Sequence, residues 1–122
     1  MQIAFIVLSI LLALEMAVIG APKVLQLSAV RGGAEHLGVS VALDRTIGVA
    51  QMAAAAGLLL GIVFPPLSVV TGAAVCLLMC GALGYHAKAK DNLLAMAPAL
   101  LTVALSIAVV VLAVNAAPIP NL

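Results

Sequence analysis

Four stretches of the chain, at about 2–20, 46–63, 67–86 and 93–114, are apolar on every helical face. Each can cross a hydrocarbon core of about 30 Å, which takes roughly 20 helical residues. In lipid the backbone must satisfy its own N–H and C=O groups, which leaves helices or a closed barrel. Barrel strands alternate polar and apolar side chains, and these stretches do not. The expectation is therefore an all-α membrane protein: one domain over 1–122, built as a bundle of four transmembrane helices.

The breaks between spans carry turn chemistry. Pro22, after Gly20 and Ala21, is expected to end the first span, and Pro65–Pro66 to make a tight turn that sets spans two and three as an antiparallel hairpin. Lys88, Lys90, Asp91 and Asn92 form the third connection, and Pro118 and Pro120 close the C-terminus. The first span lacks a basic n-region, and a Pro follows its only small-residue cleavage site, so it reads as a retained span and not as a signal peptide.

The stretch 24–43 is too long for a plain loop. Val24, Leu25, Leu27, Val30, Leu37, Val39, Val41 and Leu43 interleave there with Gln26, Ser28, Arg31, Glu35, His36 and Ser40. This pattern predicts an interfacial segment between helices 1 and 2, broken at Gly32–Gly33 and Gly38. It serves either as an anchor in the headgroups or as a lid over the bundle mouth. The anchor is the plainer reading, since the segment carries no catalytic set.

Composition agrees. Apolar residues make up 66% of the chain and charged residues 7%, against about 25% charge in soluble domains. A net charge of +1 with no basic run excludes a nucleic-acid footprint. All five Lys and Arg (Lys23, Arg31, Arg45, Lys88, Lys90) fall in the first and third connections. The positive-inside rule puts those connections in the cytoplasm and both termini outside, in a multi-pass protein of the plasma (inner) membrane.

Helices in lipid associate through small residues that let backbones approach. Ala53, Gly57 and Gly61 form one row at spacing four, and Gly72, Cys76, Cys80 and Gly84 another. They are candidate packing faces, within the bundle or toward another protomer or protein. Cys76 and Cys80 lie mid-span, where burial disfavours thiolate, and no nearby His or carboxylate completes a metal set. Packing is the reading for both, and no metal site is expected. Pro98, Thr102 and Ser106, also at spacing four, predict a kinked fourth span whose hydroxyls bond chiefly to their own backbone.

Ionisable residues inside a span cost at least about 2.5–3.5 kcal/mol and need a reason. Glu15 is the clearest case. Lys23, Arg45 and His86 are the cations expected near the same membrane face, with Arg45 the best placed to pair with it. Gln51 adds hydrogen-bonding groups, and Tyr85 and His86 close the third span at that face. Glu15, Arg45, Gln51, Tyr85 and His86 thus make a candidate polar pocket, or a buried ion pair that fixes helix register. His86 alone reads as an interfacial residue bonded to the loop, and Lys88 and Lys90 as facing headgroups.

Four short signatures occur in order: Gly20 to Lys23 at the end of span one; Leu37, Gly38 and Val39 in the connection; Arg45, Ile47, Gly48 and Gln51 opening span two; and Gly81, Ala82 and His86 closing span three. In these the chain resembles the DoxX-like family of small bacterial four-span membrane proteins, over roughly 5–112. Relatives usually carry Glu at the position of Gln51, a departure that weakens any proton-relay role. The family has no single agreed activity. Its members have been linked to thiosulfate:quinone oxidoreductase and to oxidative-stress complexes, and a related animal protein assists receptor assembly.

Three functions follow. The chain is an accessory or assembly subunit packed against another membrane protein, which the small-residue rows favour. Alternatively it binds or transports a small apolar molecule, a quinone or a lipid, in the bundle centre. The third reading is the membrane component of a quinone-linked oxidoreductase. No catalytic motif occurs, and no cofactor is evident beyond a quinone or lipid.

Overall fold

The computed structural model describes residues 2–116; Pro118 and Pro120, expected to close the C-terminus, lie outside them. The chain forms five helices: α1 (Gln2–Leu25), α2 (Ser28–Leu37), α3 (Val41–Leu60), α4 (Pro65–Lys88) and α5 (Leu93–Ala116). All but α2 are long and apolar enough to cross a membrane. At 1.5 Å per residue the 24-residue helices are about 36 Å long.

The helix ends differ from the sequence expectation, each for a local reason. Pro22 lies inside α1, which runs on to Leu25. A proline so near the C-terminus forfeits one intrahelical bond, and the chain needs only one further turn before its cap. There Gln26 turns left-handed (φ 52°) and the Leu27 N–H donates to the Pro22 carbonyl at 3.1 Å, the Schellman pattern. The second span begins at Val41, because the Ser40 hydroxyl caps it by accepting from the Leu43 N–H at 3.1 Å. Pro65 and Pro66 are the opening residues of α4, where a missing N–H costs nothing, so the hairpin turn itself falls on Gly61 to Phe64. Asn92 starts α5, its side-chain oxygen accepting from the Ala95 N–H at 2.9 Å.

The four spans close into a ring in the order α1, α3, α4, α5, with α5 returning to α1. The broad interfaces are α1 with α3 and α4 with α5; the other two are narrower. Phe5, Leu12 and Met16 of α1, Leu58 of α3, Val75 and Met79 of α4 and Val109 of α5 fill the centre. Leu14, Val63, Val70 and Leu101 are among the many large apolar side chains left facing outward, as lipid contact requires.

Three glycine crossings set the spacing. On α1 and α3, a Cβ at Gly48 would lie 2.8 Å from the Gly20 carbonyl oxygen and 2.8 Å from the Lys23 Cβ. On α3 and α4, Gly57 meets the Thr71 side chain, and Gly61 lies against Ser68, whose backbone nitrogen would be 2.8 Å from an added Cβ. On α4 and α5, Gly72 packs on Val110 and the Ser106 carbonyl. The α3–α4 contact is therefore closest beside the hairpin turn. Toward the other end α2 inserts between the same two helices.

Candidate functional site

A cavity of about 600 Å³ occupies the end of the bundle away from the hairpin turn. Val18, Ile19, Pro22 and Lys23 of α1, Leu43, Asp44 and Ile47 of α3, and Leu77, Leu78, Met79, Gly81, Ala82 and Tyr85 of α4 supply its walls. Its roof is the underside of α2. Val30, Gly33, Ala34 and Leu37 recur there at the three- and four-residue spacing that puts them on one helical face. The opposite face, with Arg31 and Glu35, is exposed. The stretch predicted to be interfacial is thus a helix that runs through Gly32–Gly33 and ends at Gly38, left-handed at φ 74°.

The lining is apolar except at Lys23, Asp44 and Tyr85. Asp44 is buried one turn into α3, where the positive end of the helix dipole favours a carboxylate. Gln26, itself only 4% exposed, donates through Nε2 to Asp44 Oδ2 at 2.8 Å and to the Lys23 carbonyl at 2.7 Å. Lys23 lies close enough to feel the Asp44 charge. The polar rim is therefore nearly balanced in charge. On the outer flank, the lining residues Leu77 and Val18 are 73% and 63% exposed, so the cavity adjoins the lipid-facing surface.

A second polar cluster ties the roof down. His36 of α2 and His86 of α4 both meet Asp91, in the connection to α5: His36 Nε2 lies 2.6 Å from Oδ1 and His86 Nδ1 2.6 Å from Oδ2. These hydrogen bonds, His36's first and His86's second, hold the Asp91 carboxyl below the usual carboxylate range. They are the histidine–carboxylate contacts present among the described residues, where no Lys or Arg side chain pairs with a carboxylate. No group of three or more His, Cys, Asp or Glu among those residues is arranged to hold a metal ion.

The five pocket residues singled out in the sequence are not brought together. Tyr85 lines the cavity. His86, its neighbour, points to Asp91. Arg45 is exposed, and Gln51 is 1% exposed, with its Cβ close to Gly20 and its Oε1 without a partner. Glu15 turns to α5, where Thr102 Oγ1 donates to Oε1 at 2.5 Å. Thr102 thus stands where Arg45 was expected, because Arg45 lies a turn inside α3, on its outer face. The Thr102 hydroxyl also lies 2.9 Å from the Pro98 carbonyl. Of the small-residue rows, Gly57, Gly61 and Gly72 stand at helix crossings. Cys76 is half-buried, Ala53 and Cys80 are exposed, and Gly84 has open space beside it.

Sequence reasoning missed Gln26, His36, Asp44 and Asp91 as site residues. The signal for Asp44 was present: Ser40 is a good N-cap residue, and a helix started there puts Asp44 in its first turn. Gln26 depends on the left-handed turn that ends α1, and His36 and Asp91 on which face of the short amphipathic α2 turns inward.

No curated protein and no solved structure shows a significant match to the chain. The family profile described as the DoxX-like family matches residues 7–114. With nearly its whole length covered, and four spans folded as that resemblance implied, the chain belongs to the DoxX-like family.

Proposed function

We propose that the protein binds one small amphiphile, a quinone or a single-chain lipid, in the cavity under α2. The cavity carries this reading: its roughly 600 Å³ falls within the about 300–1,000 Å³ of small-molecule sites, with apolar walls and a few convergent polar groups. The tail would lie along Ile47, Leu78 and Met79. The head would meet Lys23 and Tyr85 as donors, with Asp44 as acceptor. A near-neutral rim suits a neutral or zwitterionic head better than a free anion. The outer flank lets such a molecule arrive from the bilayer. On the charge distribution we place the cavity end on the cytoplasmic side of the inner membrane, with both termini outside.

Mass spectrometry of the protein washed in mild detergent tests the binding. Gly81 lines the cavity, and an added Cβ there meets nothing within 4 Å, so Gly81→Leu has room to start a side chain that adds bulk beside the space. The expected result is an amphiphile retained by wild type and by Glu15→Ala, and lost from Gly81→Leu. Equal retention by wild type and Gly81→Leu, or none in wild type, rejects the reading.

A second reading, an accessory or assembly subunit, draws on α4. Cys80 and Gly84 leave a small-residue strip of that helix uncovered, suited to close approach by a helix of another protein. A stable heteromeric complex recovered in mild detergent, and lost on Gly84→Leu, is its test.

A further inference from the structure

The roof helix is weakly built. Two of its ten residues are adjacent glycines, each worth about 1 kcal/mol less than alanine in a helix, and no side chain caps its N-terminus. Its contacts with α3 and α4 are sparse. Beyond its apolar underside and the short connection to α3, its far end is tied to the α4–α5 side by one side chain, His36, reaching Asp91, which His86 holds from the other side. On the reading that the cavity receives an amphiphile, we infer that α2 is a lid whose closure is set by the protonation of His36 on Asp91, which His86 holds in place.

A neutral imidazole donates one N–H, so His36 can bond through Nε2 and His86 through Nδ1 without charge. The carboxylate's charge already strengthens both bonds, and a proton taken up by His36 adds an opposite charge that turns its bond into an ion pair. Histidine changes charge between about pH 5 and 8. The lid is therefore held more tightly in mild acid and released as the His36 ring loses its proton. His36 is 59% exposed and so open to solvent protons, whereas Asp91 is 11% exposed and kept in place. The other charges on the elements meeting there are Arg31 and Glu35 on α2, Arg45 on α3, Lys88 on α4 and Lys90 in the connection, all exposed, while Tyr85 of α4 faces the cavity. Lys23 and Asp44 lie below the lid with Gln26. Among the described residues none of these bonds to His36, His86 or Asp91.

Closure can be read without any ligand. In a Cys76→Ala, Cys80→Ala background reconstituted in lipid nanodiscs, Ala34→Cys places a thiol under the lid, and Gly32→Cys an exposed one on the same helix. The ratio of their rates with a water-soluble maleimide cancels the intrinsic pH dependence of thiol reactivity. That ratio is expected to rise about five-fold from about pH 5.5 to about pH 8 in the wild-type background. His36→Gln keeps a donor but cannot titrate. It is expected to give a high ratio that no longer changes with pH. A ratio in wild type that is constant with pH, or one that His36→Gln leaves unaltered, overturns the lid. Because the labelling needs no bound molecule, such a result rejects the lid alone. Loss of the cavity reading shows separately, in the comparison with Gly81→Leu.

Discussion

Thr102 donates its hydroxyl to the Glu15 carboxyl across 2.5 Å, joining α5 to α1 in the middle of the bundle. The same oxygen is 2.9 Å from the Pro98 carbonyl, so one proton serves two acceptors. Among the described residues no Lys or Arg reaches Glu15. Thr102→Val keeps the shape and removes the donor, leaving a half-buried carboxyl without a partner. The expected loss is about 1–3 kcal/mol, read as a lower midpoint in thermal unfolding followed by circular dichroism in detergent; with no Trp in the chain, fluorescence is a poor reporter. Thr102→Ser should restore most of it. A Val variant as stable as wild type would show that Glu15 is satisfied elsewhere.

The crossing of α1 and α3 depends on bare backbone. At Gly48 an added methyl meets the Gly20 carbonyl oxygen at 2.8 Å, and neither backbone can yield without parting the helices. Gly48→Ala is expected to destabilise by about 1–3 kcal/mol. Gly84→Ala, with open space beside it, should be neutral or slightly stabilising, since alanine is the better helix former. Equal effects of the two changes would mean that the crossing is looser than these distances say.

Two non-glycine residues hold left-handed backbone at helix ends: Gln26 (φ 52°) after α1 and Lys90 (φ 60°) after α4. Glycine relieves that strain, so Lys90→Gly should stabilise by up to about 1 kcal/mol. Gln26→Gly relieves the same strain but strips the donor from buried Asp44, and should come out destabilised despite the gain. The difference between the two midpoints reports what the Gln26 side chain contributes through its bonds to Asp44 and to the Lys23 carbonyl. If both variants are stabilised alike, those bonds contribute nothing.

Asp91 makes an acid-side prediction. Its carboxyl is held below the usual range by His36 and then His86, so its contribution to stability is complete above the unfolded-state value of about 3.9 and fades as pH falls through the lower folded-state value. Asp91→Asn should therefore flatten the low-pH limb of a stability profile taken below about pH 4, and leave the lysine range untouched. An unchanged acid limb would separate Asp91 from the acid response.

The spans were legible because nothing but lipid-facing helices accommodates such unbroken apolar runs. Their edges were not, where polar residues belong to a helix: Asp44 and Arg45 look like loop, yet Ser40 caps α3 ahead of them. The amphipathic reading of 24–43 anticipated α2, but Gly32–Gly33 does not break it, since burial of Val30, Ala34 and Leu37 outweighs glycine's poor propensity. Glu15 announced itself as a residue needing company, while its partner, 87 positions away, could only be assigned once α5 was known to return to α1. Tyr85 and His86 are adjacent in sequence but about 100° apart on the helix, which sends one to the cavity and the other to Asp91.

The tight α3–α4 crossing near the hairpin turn, set against the hollow at the opposite end, makes the bundle unequal across the bilayer. The walls of that hollow use only the last turns of α1, the first turns of α3 and the C-terminal half of α4. On the binding reading proposed for it, the occupant is drawn from a single leaflet, and a molecule starting in the other must first flip across the bilayer.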